Sequence, residues 1–229
     1  MSRLLVPAGM TPQRAAELLS LREFQDAVLA LKPSNYWPAN EGVGTPQDIA
    51  GGVLTTMSGS LAWTAPAGRS NGYALDYVGD NTKRLDLSPV SYEVVSTMQL
   101  AVNIDAFATI PIANLSGVGG YIYPTSSTQW IYQSVGGTNP VWTVPAMSLG
   151  TWYLVHFVRT SGTSVTMYLN GVSMGAQAVS AGAFAYAAFG WYPSSGGSTY
   201  DGRLNHMAGW DGRALTAAQV LALYNAWAT

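Results

Sequence analysis

Residues 200–228 read YDGRLNHMAGWDGRALTAAQVLALYNAWA and combine the signals of a β-strand with those of a helix that follows it. An extended run from Arg203 to Trp210 leads through a turn to Thr216, a favourable helix N-cap. Gln219 lies three residues later and completes the pattern of a capping box. Apolar residues then recur on one helix face, at Val220, Leu223, Tyr224 and Trp227. A helix with one apolar face must pack on structure formed by the preceding residues.

The chain upstream, from Tyr36 onward, has the pattern of an antiparallel β-sandwich. Short apolar or alternating runs are separated by Gly, Pro, Asn and Ser. The predicted strands are residues 34–39, 52–57, 73–77, 83–87, 97–105, 120–123, 129–134, 140–144, 151–159, 163–169, 172–178, 184–190 and 203–210. The run TWYLVHFVR, residues 151–159, is apolar nearly throughout, so we predict a central strand that is covered on both faces.

Asn170 and Gly171 lie between two apolar runs and predict a tight hairpin. Both residues tolerate positive φ, which a type I′ turn requires. Alternation then assigns the preceding side chains to two faces. Val165, Met167 and Leu169 are predicted to face the core, and Thr166 and Tyr168 to face outward.

Residues 1–32 are predicted to form a short helical arm that precedes a domain of residues 33–229. Thr11-Pro12 is a helix start, and Ser20-Leu21-Arg22-Glu23 is a second capping box, so we predict two short helices. The second would end before Pro33. Three apolar residues share one of its faces: Phe24, Val28 and Leu31. They are predicted either to dock the arm to a larger assembly or to cap the sandwich of the same subunit.

The composition excludes several classes of protein. The 229 residues include 10 Lys+Arg and 12 Asp+Glu, for a net charge of -2 without a basic run, so no nucleic-acid partner is expected. The chain has no cysteine, so it has neither disulfides nor a thiolate metal site. No segment fits a transmembrane span or a signal peptide. We therefore expect the protein to remain in the cell that makes it, unless it leaves in an assembled particle.

Several segments together resemble the laminin-G-like, concanavalin A-type jelly-roll family. They are NYWPANEG at residues 35–42, DIAGG at 48–52, ALDYVGD at 74–80, MYLNGV at 167–172 and the stretch that begins at Tyr200. The resemblance covers residues 25–228 in the right order. It implies an all-β antiparallel jelly-roll sandwich, with the N-terminal arm before it and the helix at its C-terminal end. Asn205 and Gln219 depart from the pattern, since the family usually has Asp and Glu there.

The resemblance raises the question of catalysis, because some enzymes of this fold hydrolyse glycans with a pair of carboxylates. No Asp or Glu occurs between Asp105 and Asp201, so the middle of the chain offers no such pair. His156 and His206 are the only histidines, and both lie in predicted strands without a recognisable catalytic partner. We predict that the protein is not an enzyme.

Calcium is the metal that the resemblance brings into consideration, since family members often hold it in loops. Asp48, Asp80 and Asp211 are candidate ligands by residue type. The same residues fit structural roles in turns, and no loop concentrates several acids. We predict no cofactor, with calcium left as an open alternative.

Aromatic residues are the other candidates for a binding site, since the chain has 8 Trp and 13 Tyr. Such side chains stack on sugar rings and also contribute to protein interfaces. The predicted glycan-binding residues are Trp130, Tyr132, Trp142, Trp191 and Tyr192. Tyr121 and Tyr123 belong to the same aromatic stretch. In the alternative interpretation, alternate members line the core and the others lie at subunit contacts.

The resemblance implies a non-catalytic structural or interaction protein of a virus particle, such as a bacteriophage minor tail or capsid decoration protein. Its partners would be other virion proteins and a host surface glycan, and it would be made in the host cytoplasm. A surface rich in uncharged polar and aromatic groups also predicts a homo-oligomer, with a trimer as one option. The alternative function is a carbohydrate-binding module outside a virion.

Overall fold

The computed structural model describes residues 11–64, 73–77, 82–107, 112–115, 120–133, 139–180, 185–192 and 198–229. Its helices are α1 (Pro12–Ala30) and α2 (Ala217–Ala228). Its strands are β1 (Asn35–Trp37), β2 (Thr55–Ser58), β3 (Ala62–Thr64), β4 (Ala74–Asp76), β5 (Arg84–Ser91), β6 (Ser96–Ile104), β7 (Ala113–Leu115), β8 (Gly120–Ser126), β9 (Gln129–Gln133), β10 (Val141–Thr143), β11 (Trp152–Ser161), β12 (Ser164–Leu169), β13 (Val172–Ala178), β14 (Ala185–Phe189), β15 (Trp191–Tyr192), β16 (Ser198–Thr199) and β17 (Gly202–Asp211).

The strands form two large sheets. The eight-stranded sheet has the order β13-β12-β11-β6-β17-β4-β3, with β1 also paired to β17. The seven-stranded sheet has the order β10-β9-β8-β7-β14-β5-β2, and β15 pairs with β16 in a separate ribbon. Each described pair within the two large sheets is antiparallel. The predicted jelly-roll sandwich is therefore confirmed.

Every predicted strand is present, with its ends shifted by a few residues. The prediction missed β3, β7, β15 and β16, which have only two or three residues each. Such short strands do not complete enough alternation to be recognised from sequence. The central position of β11 is confirmed, because Trp152 to Arg159 are all buried. The hairpin is also confirmed, since φ is 50° at Asn170 and 78° at Gly171.

The main core lies between the two sheets. Phe157 of β11 packs against Trp130 and Trp142 of the opposite sheet, with ring centroids 6.2 and 5.6 Å apart. Val165, Met167 and Leu169 belong to this core, as predicted. These contacts hold the two sheets face to face, and the burial of so much apolar area supplies most of the driving force for folding.

A second apolar layer lies on the outer face of the eight-stranded sheet. Helix α2 packs there through its buried residues Val220, Leu223 and Trp227. Thr216 caps this helix and forms the predicted capping box with Gln219. Tyr168 faces the same side, as predicted, but it is buried beneath the helical layer rather than exposed. Alternation identified its face correctly, but alternation does not reveal what covers a face.

Helix α1 is one continuous helix, so the prediction of two short helices is wrong. Residues 13–30 contain neither Gly nor Pro, and a Ser within a helix does not terminate it. The helix ends before Lys32, whose φ of 50° reverses the chain ahead of Pro33. Neither described helix combines the length and the apolarity needed to cross a bilayer.

The proposed arm residues lie against the sandwich of their own chain. Phe24 and Val28 are buried in the outer apolar layer, and Leu31 packs against it while half-buried. This arrangement matches the interpretation in which the helix caps its own subunit. The role of these residues in docking to a larger assembly stays a prediction.

Candidate functional site

The outer face of the seven-stranded sheet is the sheet surface that the described helices leave uncovered. Both helices pack on the other sheet, as the composition of the outer apolar layer shows. A β-sandwich has two outer faces, so this second face is the candidate site, and we call it the open face. The strands β10, β9, β8, β7, β14, β5 and β2 form it.

Aromatic and aliphatic side chains occupy one half of the open face. Ile122 is buried in the main core, so its neighbours Tyr121 and Tyr123 project to the opposite side of β8. The register then places Tyr123 opposite Ile131, and Ile131 opposite Val141. Tyr121 and Tyr123 are each 6% exposed, whereas Val141 is 41% exposed. The two tyrosines are therefore buried, and Val141 is the accessible side chain of this row.

Polar side chains occupy the other half. Arg84 and Asp86 of β5 form an ion pair, with 2.8 Å between Nε and Oδ1. The hydroxyl of Ser58 donates a hydrogen bond to the same carboxylate. Thr56 lies opposite Asp86 in the adjacent strand and is exposed. The charges of Arg84 and Asp86 thus compensate each other, which leaves this half polar with little net charge.

Three of the predicted glycan-binding residues lie in the main core instead. Trp130, Tyr132 and Trp142 are 0%, 3% and 1% exposed. Their strands turn these side chains inward, where the indole nitrogen of Trp142 donates to the carbonyl of Gly175 at 2.9 Å. As buried rings they cannot stack on a sugar, so the alternative interpretation, that they line the core, applies to them.

The other two predicted residues are Trp191 and Tyr192. Their backbone forms β15, in register with Ser198 and Thr199 of β16. Their side chains lie outside the part of the chain that the structure describes. Their glycan-binding role stays a prediction.

The histidines are buried on the outer face of the eight-stranded sheet. His156 Nε2 lies 3.0 Å from the amide oxygen of Gln99, and His206 Nδ1 lies 2.8 Å from the hydroxyl of Tyr36. Burial lowers the pKa of each histidine from 6.5 to about 3, so both are neutral near pH 7. Both are closed off from solvent and from the open face, and neither is placed to act on a ligand there.

Asn205 is fully buried beside these histidines. Neither its amide oxygen nor its amide nitrogen has a hydrogen-bond partner among the described residues. The family's usual Asp at this position would carry a charge into the same surroundings. Asn205, where the sequence departs from the family pattern, therefore lies where the described residues offer no hydrogen-bond partner.

Asp48 has a structural role in its turn. Its two carboxylate oxygens accept hydrogen bonds from the side chain of Asn35 and from the backbone N–H groups of Tyr36, Ala50, Gly51 and Val53. Burial acts to raise the pKa of this carboxyl group, but the hydrogen bonds outweigh burial and lower it below 3.8. A carboxylate surrounded by N–H donors presents no free oxygen to a cation.

Of the other two calcium candidates, the structure describes only Asp211. Asp211 accepts a hydrogen bond from the backbone N–H of Glu93, and Asp80 lies outside the described residues. Within the described ranges, no three His, Asp or Glu side chains are grouped so that they could hold a metal ion.

A cluster of acidic residues around Arg203, at the start of β17, is a feature that the sequence did not indicate. Arg203 forms an ion pair of 2.9 Å with Asp105 and hydrogen-bonds Asn103. The pKa of Asp105 is raised above its usual value. Burial is the main cause, Arg203 acts in the opposite direction, and the negative charges of Asp201 and Asp76 add to the increase. Sequence reasoning missed this group because its members come from three separate strands and loops.

Comparison with solved structures identifies similar folds at low sequence identity. Domain 4 of AbnA, a GH43 extracellular arabinanase from Geobacillus stearothermophilus solved in complex with arabinotriose, has a TM-score of 0.56 and 19% identity. The similarity covers 84% of this chain and 98% of that one. The binding domain of Paraclostridial Mosquitocidal Protein 1 has a TM-score of 0.65 and 10% identity, over 87% of this chain and 53% of that one.

Two further structures extend the comparison. The botulinum neurotoxin serotype D binding domain has a TM-score of 0.62 and 11% identity, over 85% of this chain and 51% of that one. A heptameric SAP-like pentraxin from Limulus polyphemus has a TM-score of 0.51 and 20% identity, over 62% and 74% of the two chains. The chain thus spans about half the length of the two toxin structures. At these identities the similarity establishes the fold alone.

Sequence comparison gives a more direct assignment. No curated protein matches the chain. A family profile, described as the concanavalin A-like lectin/glucanases superfamily, matches residues 102–221, which is more than half of the 229 residues. This segment runs from β6 to α2 and includes the hairpin and the capped helix from which the jelly roll was predicted. The chain therefore belongs to the concanavalin A-like lectin/glucanases superfamily.

Proposed function

We propose that the protein is a non-catalytic binding domain that recognises a neutral glycan on its open face. The observation that carries this proposal is the asymmetry of the sandwich. Helices α1 and α2 cover the outer face of one sheet, and no described helix covers the other. The open face is therefore the outer β-surface that no described helix covers, and Thr56, Val141 and Thr143 are exposed on it.

The chemistry of the open face favours an uncharged ligand. Its described charges are Arg84 and Asp86, and these two groups pair with each other. The exposed described side chains of this face are hydroxyl, amide and aliphatic groups, which suit the hydroxyls and apolar patches of a sugar. A strongly acidic glycan would find no uncompensated cation among them.

The same face does not support glycoside hydrolysis. In the strands of the seven-stranded sheet, Asp86 is the only acidic residue of the sequence. Hydrolysis in most such enzymes requires two carboxyl groups on opposite sides of the scissile bond. Asp86 is also engaged by Arg84 and Ser58. We therefore assign the face to binding rather than to turnover.

Similar structures agree with a binding role. The arabinanase domain that resembles this chain over 98% of its own length was solved with arabinotriose, and two others are binding domains of toxins. At identities below 25%, these structures do not show which ligand this chain binds.

Binding to a glycan array tests the proposal, followed by titration of each positive glycan against the purified protein. Thr143→Arg and Thr56→Arg place a bulky charge on the two halves of the open face, at exposed positions. We expect at least one of them to weaken binding tenfold or more. Thr160→Arg, at an exposed strand position of the other sheet, is the matched control and should bind normally. Unchanged affinity in both face variants, or release of sugar from a bound glycan, would contradict the proposal.

We also propose that the domain acts on a virus particle, as a minor tail or capsid decoration protein, and as a homo-oligomer. The support is the family resemblance of the sequence. Mass spectrometry of purified particles tests the location, and sedimentation of the isolated protein tests the assembly. A protein that is absent from particles and monomeric at high concentration would instead favour a carbohydrate-binding module outside a virion.

A further inference from the structure

A row of polar side chains crosses the eight-stranded sheet beneath the helices. Tyr168, His156 and Gln99 lie in register on β12, β11 and β6. Gln99 bonds His156 through its amide oxygen, and its amide nitrogen donates to the carbonyl of His206 at 3.0 Å. The hydroxyl of Tyr36, on β1, lies 2.8 Å from Nδ1 of the His206 ring. The surface on which the helices rest is therefore polar along this line, although the layer around it is apolar.

His206 occupies an unusual position in this row. It lies in a β-bulge of β17 between Asn205 and Ala208, and its φ of 48° is in the left-handed region. The bulge turns its ring toward α1, where the Phe24 ring meets it edge-on with centroids 4.8 Å apart. Its Nε2 has no hydrogen-bond partner among the described residues. The ring is thus held between the sheet and the helix with one nitrogen unsatisfied.

The described groups that contact His206 are uncharged at neutral pH. They are Phe24 of α1, Tyr36 of β1 and Gln99 of β6, and Gln99 also bonds the neutral His156 of β11. No charged group adds to burial in lowering the pKa of His206 to about 3. A proton on this ring would therefore lie in an apolar layer with no counter-ion among the described residues, which is costly.

We propose that α1 is an acid-released lid, and that protonation of His206 separates this helix from the sheet while the main core stays closed. The charged ring requires water, and its neighbours on the sheet side are strands fixed by their ladders. Lifting α1 admits water to the ring and leaves the strand ladders intact. It uncovers the buried Phe24 and Val28 and breaks the hydrogen bonds that Trp210 and Arg213 donate to the carbonyl of Leu31. The main core is a separate apolar cluster between the sheets, so it does not depend on the helix.

Release would expose two surfaces that are covered at neutral pH. One is the part of the outer face of the eight-stranded sheet that α1 covers. The other is the apolar face of α1 itself, with Phe24, Val28 and Leu31, which then becomes free to contact another surface. The lid and the open face lie on opposite sides of the sandwich, so release of α1 is independent of glycan binding.

Hydrogen–deuterium exchange of the full chain at pH 7.5 and pH 5 tests the lid, after correction for the intrinsic pH dependence of exchange. With a pKa of 6.5 for the open form and about 3 for the closed form, opening of α1 should increase about thirtyfold at pH 5. The readout is exchange in residues 19–31 compared with residues 152–159. The central strand should remain protected at both pH values.

Two variants distinguish the histidines. His206→Asn introduces a residue that tolerates positive φ but cannot be protonated. In this variant, the increase in α1 exchange at pH 5 should disappear or fall several-fold. His156→Gln removes the neighbouring titratable group and should retain most of the increase. The proposal is overturned if exchange of α1 is independent of pH, if His206→Asn keeps the full increase, or if the central strand exchanges in parallel with α1.

Discussion

The side-chain nitrogen of Asn35 donates a hydrogen bond of 2.7 Å to Oδ2 of Asp48, 13 residues along the chain. The hydroxyl of Tyr92 donates to the amide oxygen of the same asparagine at 2.9 Å. Strand β1, the turn at Asp48 and the residue after β5 are therefore joined by one buried polar chain. This chain fixes the start of the sandwich beside β17, with which β1 pairs.

Asp48→Asn should destabilise the protein by about 2–3 kcal/mol, because the NH₂ group of the new amide would face N–H groups that now donate to the carboxylate. Oδ1 accepts from three backbone N–H groups, while Oδ2 accepts from Asn35 and Val53. Neither orientation of an Asn satisfies all of them. Urea unfolding at pH 7 measures the loss. Asp26→Asn, at an exposed position of α1, is the control and should change the free energy of unfolding by less than about 0.5 kcal/mol.

The contribution of Asp48 should also depend on pH. Its pKa is lower in the folded protein than the unfolded value of 3.8, so the unfolded state binds the proton more readily. The stabilisation is therefore present above pH 3.8 and is lost as pH falls through the folded value. The difference in unfolding free energy between the wild type and Asp48→Asn should be constant above pH 5 and shrink below pH 4. A constant difference down to pH 2 would contradict this.

Gly209→Ala should cost about 2–3 kcal/mol through steric overlap. A Cβ at this position would lie 2.1 Å from the hydroxyl oxygen of Tyr92, which is buried and bonded to Asn35. Relief requires the ring to move and the polar chain to break. Gly162→Ala is the matched control, since its nearest contact would be 3.4 Å from Val94 and its φ is also ordinary. Similar losses of thermal stability in the two variants would show that the contact with Tyr92 is not the cause.

Thr216→Ala should destabilise the protein by about 1 kcal/mol and loosen the first turn of α2. The Thr216 hydroxyl accepts from the backbone N–H of Gln219, and the Gln219 side chain accepts from the backbone N–H of Thr216. Thr216→Ser preserves both bonds and should retain most of the stability. Hydrogen exchange of residues 217–221 locates the effect. Equal protection of this turn in the Ala and Ser variants would show that the cap is dispensable.

The sequence predicted the strands well because burial of one face imposes a period of two on each of them. Residues 151–159 were recognised as central because both faces of that strand are apolar, and the structure covers one face with the opposite sheet and the other with helices. The capped helix α2 was predicted in detail, since Thr216 and Gln219 act locally. Helix α1 was divided wrongly, because a capping pattern at Ser20 also fits a helix interior.

The candidate site was harder to predict, since it depends on which side of each strand faces the core. Alternation assigns Tyr121 and Tyr123 to one side of β8 and Ile122 to the other, and it separates Trp130 from Ile131 in the same way. Both sides are apolar or aromatic, so the sequence does not show which side faces the core. The structure resolves this by placing Trp130 against Phe157 of the opposite sheet. Nor did the sequence show which outer face the helices would cover, because that depends on contacts between distant residues.

Trp142→Phe should lower the stability of the protein and leave glycan binding unchanged. The indole nitrogen of Trp142 donates to the carbonyl of Gly175 at 2.9 Å and so joins β10 to the edge strand β13. Phenylalanine keeps an aromatic ring against Phe157 but removes this bond, at a cost of about 1–2 kcal/mol. Val141→Asp is the companion variant, because Val141 precedes Trp142 but lies 41% exposed on the open face. It should weaken binding to any glycan found on the array with little loss of stability. If Trp142→Phe instead abolishes binding while the protein remains folded, the ring contacts the ligand, and the assignment of the open face is wrong.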